Sequence, residues 1–531
     1  MFGFAGDMAS AKDDIEVVDN WITPYEIPTK WLGGFAADIC EADGAFLIAI
    51  PGWNDNHHVG AVARLDFDKS GRPNIEMVTK LPEEFRRGGR APVRLDRYNY
   101  TGALVLSMHN GTGGRGQSVM LVQGDKQTEL SHKSFEFHVT ERTRTDDHSQ
   151  GITARFFSDG SVLAIMPHSN YFASQLFKQD GAYDQRMGIE FSHEYGYCYD
   201  PGPTVEISSK DWVFVSGNGK TIPYAAYACV FQRASKDRIK ISYLDEKLLK
   251  NSGYKGKTPW GNEGPPPLAF CRFLGWMDDG TTAVFIGPNS DSKKQSIWTF
   301  NFERLEYDKE IPLPKINNLD SRDYALGAAT IRRNVLFWLS CSGVKHRSNN
   351  AVFTNIDTSK HCIVKSAVSL HVGCRTPLAF NRSNALIGAE WVDGGPRDQL
   401  LYMDTPEPVK KWFDAPIEPV SAHPVGTKNM LSINVIKALP KGVNRVYSPS
   451  IPPEIRKASF RRIRLSLSDM DSVTPPPDGF DVLGRDGGNL WVMNPKKTIE
   501  HPGTYLAIPI DKITPSSRAL LEREYPVVKK K

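Results

Sequence analysis

The chain lacks any run of about 18 uncharged apolar residues, so none of its 531 residues belongs to a segment that reads as a membrane-spanning helix. It also lacks a surplus of one charge. Lys and Arg number 65 against 61 Asp and Glu, a formal net charge of +4, which gives no global attraction toward nucleic acid or an anionic membrane. Cysteine is scarce and odd in number: seven residues, several inside strand-like runs such as Ala228-Cys229-Val230 and Phe270-Cys271-Arg272. That usage argues against a disulfide framework and for reduced, mostly buried thiols. An apolar leader is missing too, because Asp7, Lys12, Asp13, Asp14 and Glu16 stand where a secretion signal needs an unbroken hydrophobic stretch. Helical periodicity is rare. Only Leu244 to Lys250 and Ser516 to Glu524 read as helices, so the expected fold is nearly all β.

What is present is a repeated pattern: an apolar run, a tight polar turn, a second apolar run, a small-polar loop and a further β-rich run. It reads Ala-Asp-Gly-Ala-Phe-Leu-Ile-Ala-Ile around Gly44, Tyr-Thr-Gly-Ala-Leu-Val-Leu-Ser-Met around Gly102 and Ser-Asp-Gly-Ser-Val-Leu-Ala-Ile-Met around Gly160. Weaker copies follow at Asp211, Gly280, Asn334, Asn384 and Gly488. Up to Asn384 the spacing is roughly 50 to 70 residues, which marks a repeat protein. Asp-Gly and Asn-containing pairs tolerate the positive φ of tight turns, while Val, Ile, Phe and Trp suit a pleated, half-buried surface, so each unit reads as a β-meander. Second loops recur at Pro51 to His58, His109 to Gly116, Pro167 to Asn170, Ser216 to Lys220, Gly287 to Ser292, Ser340 to Asn349 and Val392 to Arg397. One small sheet cannot bury both its faces, and stacking units around an axis gives each an apolar neighbour. Hydrophobic residues at 40% of the chain are enough for such stacking.

In this pattern the chain resembles the β-propeller superfamily, loosely in the WD40 manner, over residues 35–412. The run Phe-Phe-Ser-Asp-Gly-Ser-Val-Leu-Ala at 156–164 looks like the first hairpin of a blade, and Ser296-Ile297-Trp298-Thr299-Phe300 like a third strand. The Gly-His and Trp-Asp signature and the kelch double glycine are absent, so no specific family follows. The resemblance implies a single all-β propeller of seven or eight four-stranded blades with an irregular C-terminal β segment. Residues 1–34 are expected to form an N-terminal extension, and residues 413–531 a C-terminal β segment. In that segment Lys428 to Ile436 reads as a possible degenerate blade, Gly488 to Ile510 as the source of a ring-closing strand, and Val527 to Lys531 as a solvated basic tail.

Each candidate for chemistry has a plainer structural reading. Asp146, Asp147 and His148 sit in the densest polar run, just before a blade begins, where they would bind a cation or act as acid and base. Adjacent carboxylates on a loop are more often simply solvated. His168 with Asn170, and His57 and His58 with Asp55, fall in second loops that would form a polar ring if they point one way. His361, Cys362, His371 and Cys374 suit zinc by residue type, but His361 and Cys362 are neighbours that a strand points to opposite faces, so core and surface positions are the expected reading. Asp486, Gly488 and Trp491 match the core of the sialidase Asp-box, with Gly484 where that box begins with Ser or Thr; the expected reading is an ordinary hairpin turn. Gly111 to Gly116 is glycine-rich, but neither the Lys-Ser or Lys-Thr pair nor the helix of a phosphate cradle follows. Two basic clusters complete the set: Arg86, Arg87 and Arg90 with Arg94 and Arg97, and Arg456 with Arg461, Arg462 and Arg464. The second is a candidate partner surface, since alternation puts Arg462 and Arg464 on one face; a solvated face is the plainer reading.

These readings lean away from an enzyme. They point to a non-enzymatic propeller, a structural or protein-interaction component of a larger assembly, with its own copies or neighbouring subunits as partners, no cofactor, and neither nucleic acid nor membrane as ligand. Proteins of similar size and plain composition occur in the tail nozzles and necks of tailed phages, and that resemblance implies a virion part, with a cytoplasmic scaffold equally permitted. The alternative is a carbohydrate-active propeller enzyme with a polar site at the channel mouth, built from Asp146, Asp147, His148 and His168.

Overall fold

The computed structural model describes residues 15–19, 23–26, 38–50, 61–80, 93–108, 118–130, 152–168, 171–189, 204–217, 227–233, 237–242, 268, 271–288, 294–316, 325–341, 347–371, 376–388, 399–414, 433–437, 444–446, 461–463, 480–485, 488–493 and 505–524. Antiparallel sheets follow one another along the chain. Blade 1 comprises Asp38–Ala42, Ala45–Ile50, Ala61–Phe67 and Pro73–Lys80. Blade 2 comprises Val93–Arg97, Leu104–Met108, Ser118–Gln123 and Lys126–Glu129. Blade 3 comprises Thr153–Phe156, Val162–His168, Tyr171–Phe177 and Tyr183–Ile189. Blade 4 begins with Thr204–Ile207, Trp212–Gly217, Tyr227–Gln232 and Asp237–Ser242. Blade 5 comprises Arg272–Trp276, Thr282–Pro288, Gln295–Asn301 and Glu306–Pro312. Blade 6 begins with Ala325–Arg332, Val335–Cys341, Arg347–Asn355 and His361–His371, and blade 7 with Leu378–Phe380, Asn384–Gly388 and Gln399–Asp404.

The turns between first and second strands explain why these units form. Asp43 and Gly44 have φ of 50° and 84°, and Arg333 and Asn334 of 46° and 57°, the paired positive values that a two-residue hairpin needs. In blades 2, 3 and 5 the turn ends on Gly102, Gly160 or Gly280, whose N–H donates back to the carbonyl of Tyr98, Phe157 or Met277. Asp159 and Asp279 reinforce their turns by accepting the N–H groups of Ser161 and Thr281, both at 2.9 Å. The turns read at Gly44, Gly102, Gly160, Asp211, Gly280 and Asn334 all join a first strand to a second, and Asn384 opens a second strand.

Each blade's first strand touches that of the next, and Leu378–Phe380 of blade 7 returns to Asp38–Ala42 of blade 1, so among the described residues seven sheets close one cycle. This is a β-propeller. A hydrophobic cluster fills every step of the cycle. Between blades 1 and 2, Leu47, Ala49 and Val62 meet Leu95, Leu106 and Met120; between blades 7 and 1, Leu386 and Leu400 meet Phe46, Ile48 and Ile50. Alternate residues of one strand therefore serve opposite neighbours, and Ala45–Ile50 is buried along its whole length. Burial on both faces is why these second strands read as continuous apolar runs. The aromatic content concentrates between blades 4 and 5, where Phe214 stacks on Phe273 at 4.0 Å, and between blades 6 and 7, where Phe337 stacks on Phe353 at 4.6 Å.

The ring is closed from the N-terminus, which corrects two expectations. Thr23–Glu26 pairs antiparallel with Gln399–Asp404 as the fourth strand of blade 7, and Ile15–Asp19 pairs parallel with the outer strand of blade 6. Ile15–Asp19 and Thr23–Glu26 are thus part of the ring rather than an extension. Gly488 to Ile510 does not close it: Asn489–Met493 and Tyr505–Pro509 lie in a C-terminal sheet with Asn444–Val446, Arg461–Ile463 and Phe480–Arg485. An outer strand edge accepts any extended partner with suitable register, so local pattern does not disclose which segment fills it. Within the stretch read as a degenerate blade, Ile433–Lys437 instead adds to blade 4 as a fifth strand. The short helix α1, Glu407–Trp412, which carries no repeat signal, buries Val409 between blades 6 and 7. Helix α2, Pro515–Glu524, matches the helix read at Ser516 to Glu524; Leu244 to Lys250 lies outside the described residues. No helix among the described residues is long and apolar enough to cross a membrane.

Two expected outcomes follow from this packing. At Gly280 an added Cβ would lie 2.5 Å from Ser209 Oγ and 3.0 Å from the Lys210 backbone nitrogen, with φ at +70° besides, so Gly280→Ala is expected to destabilise the protein by about 2 kcal/mol in urea unfolding. Deleting residues 1–26 strips the outer strands from two adjacent blades, and thermal unfolding is expected at a lower temperature than for the full chain; an unchanged transition would show that the strands do not hold the ring.

Candidate functional site at the inner strands

The first strands of blades 1 to 5 carry charged side chains where they approach one another. Asp38 opens the inner strand of blade 1, and Asp96 stands at the same offset before Gly102 as Asp38 does before Gly44. Both carboxylates do the same work. Asp38 Oδ2 accepts the Leu95 N–H of blade 2 at 2.9 Å, and Asp96 Oδ2 accepts the Phe156 N–H of blade 3 at 2.8 Å. The other oxygens accept the N–H groups of Ile39 and Arg97. Each Asp thus satisfies a backbone donor on the neighbouring inner strand, a group that is costly to leave unpaired when buried.

Arg155 of blade 3 extends the same logic with the opposite sign. Its Nε donates to the Val205 carbonyl of blade 4 at 3.0 Å, its Nη1 to the Leu95 carbonyl of blade 2 at 3.1 Å, and its Nη2 lies 3.5 Å from Glu206 Oε1. One planar guanidinium therefore ties three inner strands together, which suits its fixed fork of donors. Arg272 of blade 5 donates to the Leu326 carbonyl of blade 6 at 2.8 Å, and Trp276 Nε1 to the Glu206 carbonyl of blade 4 at 3.1 Å.

Electrostatics follow from this crowding. Burial pushes the Asp96 carboxyl up to about 6, with Arg155 opposing the rise and Glu206 adding to it. Burial first, then the carboxylates of Asp96 and Asp38, push the Cys40 thiol well above its ordinary range, so it is not a thiolate nucleophile at neutral pH. Burial works against the Arg155 charge, but Glu206, Asp96 and Asp38 together outweigh it and hold the guanidinium protonated. A carboxyl near 6 beside a guanidinium has acid–base capacity. Here both of its oxygens already accept backbone N–H groups, so the arrangement acts as a clip between strands.

A second set of bonds joins the turns at one end of the ring. Arg97 pairs with Asp43, Tyr98 Oη donates to the Ser158 carbonyl at 3.2 Å, and Ser158 Oγ donates to Asp211 Oδ2 at 2.8 Å. Arg233 Nη1 donates to Asp159 Oδ2 at 2.6 Å, Ser208 Oγ to the Gly280 carbonyl at 2.6 Å, and the Asp278 N–H to Asn334 Oδ1 at 2.9 Å. Arg332 pairs with Glu41, and Asn381 Nδ2 donates to the Gly44 carbonyl.

The residues singled out in the sequence are not gathered here. Asp146, Asp147, His148, Asn170, Asp55, His57 and His58 lie outside the described residues, and of His168 only its backbone place at the end of Val162–His168, opposite Tyr171, is described. His361 is buried; Thr354 Oγ1 accepts from Trp338 Nε1 at 3.0 Å and sits 2.9 Å from His361 Nδ1, a core hydrogen-bond chain. Cys362 packs between blades 6 and 7, His371 ends its strand opposite Arg347, and Cys374 lies outside the described residues. Among the described residues no three His, Cys, Asp or Glu side chains are grouped to hold a metal. Arg461 and Arg462 stand in register with Val482 and Asp481, while Arg456 and Arg464 lie outside the described residues. Trp491 is buried in the C-terminal sheet next to the turn at Gly488, and Asp486 lies outside the described residues. In the first basic cluster, Arg97 is paired with Asp43, Arg94 lies 4.0 Å from Asp38, and Arg86, Arg87 and Arg90 lie outside the described residues. The sequence reading passed over Asp38, Asp96, Arg155 and Glu206. The one available signal was the recurrence of Asp at a fixed offset before the turns at Gly44 and Gly102.

No family model matches the chain, and no curated protein matches it. Solved structures do. An oligogalacturonate lyase in complex with manganese is 12% identical over 74% of this chain and 98% of its own, with a TM-score of 0.44. The β-propeller domain of the Trilobed protease from Pyrococcus furiosus is 8% identical over 71% and 95%, with a TM-score of 0.39. The WD40 domain of Toxoplasma gondii coronin is 8% identical over 77% and 98%, with a TM-score of 0.36.

The inner-strand cluster makes a testable claim about pH. A carboxyl with a folded value near 6 and an unfolded value near 3.8 retains its proton in the folded state only, so Asp96 lowers stability as pH rises from about 4 to about 6. Asp96→Asn is expected to flatten that portion of the stability profile. Arg155→Met is expected to destabilise by about 3 kcal/mol at pH 8 and by less at pH 5, because it strands Asp96 and Glu206 without their cation. Urea unfolding across pH checks both; a cost for Arg155→Met that is the same at the two pH values would refute the electrostatic account.

Proposed function

We propose that this chain is a non-enzymatic propeller acting as a structural or protein-interaction component of a larger assembly, of the virion kind found in tail nozzles and necks. The observation that carries the reading is the use made of the inner-strand charges: Asp38, Asp96, Arg155 and Arg272 each bond to the backbone of a neighbouring blade. Side chains engaged this way make a stiff ring and are poorly placed to turn over a substrate. The rim supports the same reading, because the outer edges of blades 4 and 6 accept added strands, Ile433–Lys437 and Ile15–Asp19. Strand addition of this sort is a common way for one chain to engage another. The partners are further copies or neighbouring subunits, the location is cytoplasmic or virion-bound, and Arg456, Arg461, Arg462 and Arg464 are the partner-binding candidates.

Electron microscopy of the native assembly tests it. The expected result is a ring or stack of copies with the C-terminal sheet between neighbours. A lone monomer in which Asp146, Asp147, His148 and His168 converge on one pocket would overturn the reading in favour of a carbohydrate-active enzyme.

A further inference from the structure

At the stitched end of the ring, between blades 2 and 3, a polar groove is linked to an exposed aromatic ring, Tyr100, through Tyr98. The groove, of about 470 Å³, is lined by Gln123, Lys178, Gln179 and Asp180 from the turns between third and fourth strands. Gln123 Nε2 donates to the Gln179 carbonyl at 3.0 Å, so the two walls are joined. Tyr100 projects from the first turn of blade 2 with 84% of its surface exposed, the largest value among the exposed large hydrophobic side chains described. It leans on Tyr98 at 5.4 Å, and Tyr98 is in turn held by the Ser158 carbonyl and by Phe156 at 5.6 Å. Gly160 brings Tyr98 and the groove together, since a Cβ there would lie 2.8 Å from Tyr98 Cε1 and 3.2 Å from Gln179 Cδ, and Tyr98 is the ring on which Tyr100 leans.

We propose that Tyr100 and this groove form a binding site for a neutral oligosaccharide. A sugar ring has an apolar C–H face, weakly positive, that suits the negative π-face of an aromatic ring, and a rim of hydroxyls that both donate and accept. Tyr100 supplies the face. The amides of Gln123 and Gln179, the ammonium of Lys178 and the carboxylate of Asp180 supply donors and acceptors for the hydroxyls. A protein partner is less well matched, since an interface needs an apolar centre around its aromatic anchor. Here the anchor's chain neighbours, Asn99 and Thr101, are polar and exposed, as are Lys178 and Asp180. This site goes beyond the assembly role and does not depend on it.

Saturation-transfer NMR and titration calorimetry on the full chain with maltohexaose, cellohexaose, chitohexaose and mannohexaose test the assignment. At least one hexaose is expected to bind with a Kd on the order of 1 mM, as suits an open site. Tyr100→Ala and Gln179→Ala should each weaken it about tenfold or more, and Lys210→Ala, on a turn of blade 4, should leave it unchanged. All of these side chains are exposed, so folding is not at issue. Failure of all four sugars to bind, or binding that survives Tyr100→Ala, would overturn the proposal. A protein ligand lost with Tyr100→Ala while every hexaose fails would reassign the surface to a protein partner.

Discussion

The structure depends on one constraint: a four-stranded sheet with two apolar faces cannot bury either of them alone. Each blade presents one set of alternate residues to its predecessor and the other to its successor, as Phe46, Ile48 and Ile50 against Leu47 and Ala49 show. The shortage is removed only when the last sheet meets the first, so closure is a requirement of burial rather than a decoration of the fold. That places a heavy demand on blade 7, whose fourth strand, Thr23–Glu26, comes from the other end of the chain.

Closure also gathers the inner strands, and with them polar backbone groups that lack sheet partners on the axial side. Asp38 and Asp96 take up N–H groups of the following blade, and Arg155 and Arg272 donate to carbonyls of it, so charge is used here as a bonding element between sheets. The carboxylates of Asp38, Asp96 and Glu206, from blades 1, 2 and 4, act on the Arg155 guanidinium of blade 3, and this is what lets such groups be tolerated in a crowded site. The raised Asp96 and Cys40 values are the residue of that compromise. The cluster resembles an active site in its electrostatics, but its atoms are already occupied in holding the ring.

The turn end carries a second girdle, in which turn residues of one blade bond to those of the next, from Arg97 and Asp43 to Asp278 and Asn334. A propeller held at this end and along its axis offers a rigid face. On it Tyr100 and the groove beside Gln179 are the features that packing does not explain, since a ring exposed to this extent contributes little to burial.

Much of this architecture was legible in the chain. The Asp-Gly and Asn-containing turns, the apolar runs that follow them and their recurrence announce meanders, because turn chemistry and strand burial are local properties that leave local marks. The inner-strand site was only faintly legible: Asp38 and Asp96 recur at one offset, but nothing local says that each faces a backbone N–H belonging to the next unit. The zinc candidates show the converse, since His361 and Cys362 look like ligands by type and are placed by strand alternation into different surroundings. Sequence by itself determined that the chain repeats, that the repeats are β-meanders and that they must stack. Only the tertiary structure decided which strand closes the ring, which charges meet at the axis and where an aromatic ring is left exposed, because those contacts join residues far apart in the chain through edges and faces that many segments could equally have filled.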